Sequence, residues 1–278
     1  MVKMFAMVIV FMVVVLSVVS AITPGAKRHG GTNPIGNIGD AVANSIKSVD
    51  DLAPVLSRVE VDLPGIGKSS DARGERHALS DLAGAAFANR DLPGANFAGA
   101  VIADASFNNA LLDGASLEGA AGDGADFKGA RLARANLSAA LFPGGDFTGA
   151  ELRAATARAS DFSKATFVGS NVAFAFFSGS VMERVDFSGA YGTGAVFVGA
   201  HLKNAVLARA DLTGARFDRA DLSGADFAGA NLEHVQFRGA TLHGADLSAA
   251  INISAEQLAG ACADTETKLP AGVSAPRC

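Results

Sequence analysis

The chain has 278 residues, of which 49% are apolar, 18% charged and 7% aromatic, with 32 glycines, two cysteines and no tryptophan. Those proportions exclude a disordered polar chain, a disulfide-dense miniprotein and a coiled coil. Lys and Arg total 23 against 28 Asp and Glu, and the resulting net charge of −5 has the wrong sign for a general nucleic-acid binder and is too mild for a polyanion.

A run of 19 uncharged residues, Met4 to Ile22, follows Lys3 and contains the small-residue sequence Val19-Ser20-Ala21. A basic start, an apolar stretch and a small-residue site predict a signal peptide over 1–21. The rival reading is an uncleaved anchor, since 18 or more apolar residues can span a bilayer; Lys27, Arg28 and His29 just beyond would favour that end staying inside. Cleavage after Ala21 is the favoured reading and places the rest outside the cytoplasm, in a periplasm or lumen or secreted; for an anchor those basic residues leave the orientation open. A membrane association is expected only if the leader is retained.

Residues 22–79 are not repetitive. Ile38, Val42, Ile46, Val49, Leu52, Leu56 and Val59 recur at three- and four-residue steps, which predicts amphipathic helix, with Pro54 near the start of a second short one. Asp71 to His77 reads as a polar linker.

From Ser80 a five-residue unit repeats 34 times without insertion or deletion. Leu or Phe fills 28 of the 34 central positions, Leu82, Phe87, Leu92 and onward to Leu247, and Ala fills 26 of the positions two before. A period of five matches neither helix nor simple strand. It suits a short extended piece and a tight turn, with the large centre and the small Ala turned inward. Gly occupies 19 of the 34 positions two after the centre, where a corner calls for φ > 0. A second period hides in the choice of centre. Every twentieth residue from Phe87 gives Phe107, Phe127, Phe147, Phe167, Phe187, Leu207, Phe227 and Leu247, a column mostly of Phe; every twentieth from Leu92 gives no Phe. Four units therefore make one coil, and equivalent positions stack. Gly122, Ala157 and Gly192 put little at a centre and are expected to leave local gaps into which neighbours must shift.

These residues resemble the pentapeptide-repeat family. The resemblance covers residues 80–250. It implies an all-β solenoid, a right-handed quadrilateral parallel β-helix, here of about 8.5 coils and ~40 Å at ~4.8 Å per layer. Short helical segments are expected at both ends, because an uncovered β-helix end exposes strand edges and core. At the C-terminal end, 251–278, Ser254-Ala255-Glu256-Gln257 reads as a capping box, and Ile253 to Pro270 resembles the closing segment of bacterial members. Cys262 and Cys278 are candidates for a disulfide stapling that tail if the chain is exported, the alternative being two free thiols. Dimerisation through a rod end is common in relatives, so a homodimer is open.

The sequence carries no catalytic constellation, and no cofactor is expected. Of His29, His77, His201, His234 and His243, no two of the last three share a side on adjacent coils, so no metal cluster is expected. Asp126, Asp146, Asp186, Asp226 and Asp246 form an acidic ladder on one side, either for a cation or simply as turn residues bonding nearby backbone. Phe174, Phe176, Val196 and Val198 fall at outward positions. They read either as a partner-binding patch or as local refitting, with Phe174 folded toward Gly192.

The leading functional reading is a non-catalytic exported scaffold that binds a protein partner or the cell envelope. The family's best-understood members, gyrase-binding proteins resembling DNA, imply an alternative. Duplex DNA carries one charge per ~1.7 Å, so a 40 Å mimic wants about 24. Residues 80–250 hold 18 acids and 13 bases, with Arg131, Arg134, Arg153 and Arg158 in one region, which weighs against nucleic-acid mimicry. A β-helical polysaccharide-active enzyme comes third, because convergent carboxylates are missing.

Overall fold

The computed structural model describes residues 74–278. The apolar leader and the helices expected over 22–68 lie outside the described residues.

From Arg76 to Ile251, every fifth residue pairs in parallel with the residue twenty further on, beginning Arg76↔Asn96 and Asp81↔Val101 and ending Asn231↔Ile251. Four five-residue sides thus close one turn, and the next turn lies directly on it. The result is a parallel β-helix. On each side the main chain alternates between neighbouring turns: the Leu82 N–H donates to the Val101 carbonyl (2.7 Å), and the Val101 N–H donates to the Ser80 carbonyl (2.9 Å). The Ala85 N–H then returns to the Leu82 carbonyl at 3.0 Å, closing a four-residue turn. Its third residue has positive φ, +69° at Gly84, as a turn of that hand requires. Glycine is the usual occupant, yet Ala154 (57°) and Phe174 (60°) adopt the same conformation against their intrinsic preference.

The interior is the stack that the twenty-residue period predicts. Phe87, Phe107, Phe127, Phe147 and Phe167 lie ring on ring with centroids 4.9, 4.8, 4.8 and 4.7 Å apart. These steps match the ~4.8 Å separation of adjacent strands, so each ring rides on its own backbone layer. On the opposite side a second stack, Phe177, Phe197 and Phe217, takes over with spacings of 5.2 and 4.8 Å. Rings from facing sides meet edge to face, as Phe177 and Phe187 do at 74°, the arrangement that aromatic quadrupoles favour.

The small centres are not empty. A Cβ at Gly122 would lie 2.6 Å from Phe142 Cε1, and one at Gly192 would lie 2.9 Å from Leu212 Cδ2. The gaps expected from sequence at Gly122 and Gly192 are closed by the residue one turn above. Close packing explains the difference, because a void forfeits dispersion contacts on every side that faces it.

The ladder also starts earlier than the repeat count suggests. Arg76 pairs with Asn96, and His77 is buried, its ring stacked 4.9 Å from that of Phe97 one turn above. Both fall in the stretch read as linker. An imidazole at a central position is hidden from an apolar pattern, yet it offers the flat ring that the stack needs.

At the far end the register slips. Thr241 pairs with Cys262 and Asp246 with Lys268, followed by Ala263↔Arg277. Between them lies helix α1, Ala255–Leu258. Ser254 and Gln257 cap it reciprocally, and the Gln257 side chain donates to the Leu232 carbonyl at 2.7 Å. Leu258 is fully buried, so the helix closes the core while satisfying main-chain groups of the last regular turn.

Candidate functional site

Phe174 and Phe176 stand either side of one corner of the rod. Phe174 is 46% exposed. The Arg153 guanidinium lies 5.0 Å from its ring centroid, and the Arg158 guanidinium lies 5.1 Å from that of Phe176. Both spacings suit cation–π attraction. Phe174 is not folded toward Gly192. Its ring lies along the outer surface over Gly194, where a Cβ would be 2.8 Å from Cδ1. Val196 pairs directly with Phe176 one turn on; Phe176, Val196 and Val198 are half-buried. Tyr191, 60% exposed, sits one turn above Asn171 on the adjoining side. The structure therefore brings the four predicted apolar residues together, and the arginines turn them into an aromatic–cationic patch.

The acidic ladder lies on one side, as the sequence places it, with Asp126↔Asp146 and Asp226↔Asp246 directly paired and Thr166 and Val206 interrupting the column on either side of Asp186. Each carboxylate is already engaged. Asp126, Asp146, Asp186, Asp226 and Asp246 all accept the backbone N–H two residues on, at 2.8 to 3.0 Å. Lys128 lies 3.0 Å from Asp146. Burial pushes the Asp146 carboxyl up, but bonds from Thr148 and Lys128 outweigh it and hold the group below its usual value. Asp81, Asp161, Asp211 and Asp221 on other sides make the same turn bond. The geometry thus supports a turn device common to the whole rod.

The C-terminal end gathers chemistry that sequence reasoning missed. Cys262 and Cys278 lie at disulfide distance, with Cα atoms 5.5 Å apart. His243 Nε2 is 3.2 Å from Cys262 Sγ and 3.6 Å from Cys278 Sγ. Comparing histidines only with one another overlooked this convergence, and the expectation of no metal-ligand cluster is corrected accordingly. The signal was hard to read, because both cysteines come from the tail, where the twenty-residue register has ended. Nearby, the Asp246 carboxyl is held at about 2 by hydrogen bonds from the Ser248 hydroxyl, Lys268 and the Ser248 N–H. Asp264 is held at about 2 by N–H donors from Gly244, Thr267 and Glu266 and by the Thr267 hydroxyl. Lys268, 2.9 Å from Asp246, is correspondingly raised.

Comparison with known proteins bears on the fold. Solved structures that resemble this chain include HetL, a pentapeptide repeat protein involved in heterocyst differentiation regulation from the cyanobacterium Nostoc sp. strain PCC 7120. The match has 25% identity and a TM-score of 0.51, covering 73% of this chain and 93% of HetL. QnrB1, a plasmid-mediated fluoroquinolone resistance protein, matches at 23% identity and a TM-score of 0.50, over 69% of this chain and 88% of its own. No curated protein matches the sequence. The β-helix is right-handed, as in these structures. The profile for pentapeptide repeats matches eight copies, over residues 80–119, 123–156, 160–191, 186–224 and 215–251. Its interruptions fall at the small centres Gly122 and Ala157, where the sequence leaves the consensus and the paired backbone does not. A match over more than half the chain, on an unbroken ladder of five-residue sides, makes this protein a member of the pentapeptide repeat family.

Proposed function

We propose that the protein is an exported, non-catalytic scaffold, a rod of about 8.5 coils that binds an acidic protein partner through the Phe174–Phe176 corner. One observation carries the reading. Two outward phenylalanines, each faced by an arginine, sit together on a rod whose outer positions are mainly small or polar. Neither Arg153 nor Arg158 forms an ion pair among the described residues, so both charges remain available to a partner. Aromatic and arginine side chains are the types that most often dominate binding energy. HetL, described as involved in regulation, fits a protein that acts by binding.

Export rests on the leader at 1–21; the β-helix takes in Arg76 and His77 ahead of residue 80, and the tail follows from 251. The pairing of Cys262 with Cys278 as a disulfide belongs to the same proposal. Residues 80–250 are too nearly balanced in charge to support mimicry of a DNA duplex.

Cell fractionation tests the first half: the full chain in the cytoplasmic fraction refutes export. A photo-crosslinking residue at position 176, compared with one at position 226 on another side, tests the second. Adducts expected only from 176 should disappear with Arg153→Glu and Arg158→Glu, and equal adducts from both positions refute the patch.

A further inference from the structure

We propose that His243, Cys262 and Cys278 form a binding site for Zn²⁺ that becomes available when both sulfurs are thiols. The three donor atoms lie within 4.8 Å of one another. In a tetrahedral zinc site, Zn–S of about 2.3 Å and Zn–N of about 2.0 Å set an S···N edge of about 3.5 Å and an S···S edge of about 3.8 Å. The two S···N separations here, 3.2 and 3.6 Å, bracket that edge. Only the sulfurs must part to admit the ion, and Cα atoms 5.5 Å apart allow this by rotation about the Cα–Cβ bonds.

The backbone, not the sulfur pair, places these donors. The Leu242 N–H donates to the Cys262 carbonyl (2.7 Å), and the Cys262 N–H donates to the Ala240 carbonyl (2.8 Å), which fixes Cys262 one layer above His243. The Ala263 N–H donates to the Pro276 carbonyl (2.9 Å), and Ala263 pairs with Arg277, which brings the last residue back to the same spot. A site built on main-chain bonds keeps its shape when the sulfurs are reduced. His243 and Cys278 are exposed and Cys262 is half-buried, so the fourth tetrahedral position faces solvent and takes water.

The chemistry balances. Each thiol loses its proton as Zn²⁺ binds, so two protons leave per metal bound. A small-molecule disulfide such as oxidised glutathione reverses the process. The two cysteine thiolates give up two electrons and join as one S–S bond, the small disulfide takes those electrons with two protons and leaves as two thiols, and Zn²⁺ is released. Metal and cystine therefore exclude each other, and the tail reports the thiol redox state through its metal content. The inference depends neither on the partner corner nor on export.

The test uses the full chain, reduced, freed of reductant and titrated with Zn²⁺ against a chromogenic chelator. One Zn²⁺ per chain is expected, with release of two protons, and the disulfide form should take up none. Co²⁺ in place of Zn²⁺ should show a thiolate-to-metal charge-transfer band. His243→Ala should weaken binding at least tenfold. Cys278→Ser, a change at the final residue, should weaken it at least a hundredfold with the circular-dichroism spectrum unchanged. Absence of stoichiometric Zn²⁺ in the reduced protein, unaltered affinity in His243→Ala, or equal uptake by the reduced and oxidised forms would each overturn the proposal.

Discussion

The ring of Phe142 occupies the room that a side chain at Gly122 would need, with Cε1 2.6 Å from the place of its Cβ. The two residues are twenty apart and share one interior column. Gly122→Leu should therefore overpack the core and cost about 1–3 kcal/mol. Adding Phe142→Ala should restore at least half of that loss, because the pair shares one volume. Thermal melts of the single and double variants give the coupling; strictly additive losses would contradict it.

Three buried serines, Ser160, Ser170 and Ser180, stand where the repeat normally carries Ala, and they are not equivalent. The Ser180 hydroxyl donates to the Ala157 carbonyl (2.6 Å) and accepts the Ser160 N–H (3.2 Å), standing in for a turn bond. The Ser170 hydroxyl, fully buried, has no partner. An unmet buried hydroxyl is destabilising, so Ser170→Ala should gain about 1 kcal/mol. Ser180→Ala should lose a similar amount by orphaning two main-chain groups. Tm shifts of about 2–4 °C in opposite directions are expected for a chain this size.

Phe174 holds φ = 60°, a conformation that costs a side-chain-bearing residue about 1–2 kcal/mol. Phe174→Gly removes that strain but adds backbone entropy of about 0.5–1 kcal/mol and loses a cation–π contact of about 0.5–1 kcal/mol. The terms nearly cancel, so Tm should hold within about 2 °C. Phe147→Ala, in the stacked core, should cost about 3–5 kcal/mol. A large Tm drop for Phe174→Gly would make Phe174 a structural residue and weaken its assignment to a partner.

Asp246 and Lys268 tie the last regular turn to the tail across 2.9 Å. The Asp246 carboxyl titrates at about 2, below its ordinary 3.8. Because the folded value is the lower one, its stabilisation is complete above the unfolded value and fades as pH falls toward 2. Solvent screening keeps the contribution of so exposed a pair small. Asp246→Asn should melt slightly below wild type at pH 7, with the gap narrowing as pH falls from 3.8 toward 2; a gap unchanged between pH 7 and pH 2 would count against the ion pair.

The proposed Cys262–Cys278 bond closes a loop of sequence separation 16, a size for which the chain-entropy model gives about 3 kcal/mol. Exported protein denatured without reductant should show no titratable thiol, and two thiols would remove the staple.

The interior was legible because its rule is periodic. Phe107, Phe127 and Phe147 announce their stack by recurring at twenty, and the rings lie 4.8 Å apart. The outer patch was legible in membership but not in pose, since periodicity places Phe174 at a corner without saying that Arg153 lies over it. The filling of Gly122 by Phe142 was hidden too, because the pattern marks a small residue but not which neighbour leans in. His243 met the two cysteines only after the register had slipped to Thr241↔Cys262, where counting by fives no longer predicts neighbours.

The twenty-residue pairing also makes the surface addressable. Duplicating or deleting one whole circuit would lengthen or shorten the rod by a single storey and leave each façade facing its former direction. Gaining or losing one pentapeptide would instead swing everything beyond it through a quarter revolution, parting the Phe174 corner from whatever lies past the edit. A lineage of such rods can change height freely, while the compass bearing of its binding features changes only in right-angle steps.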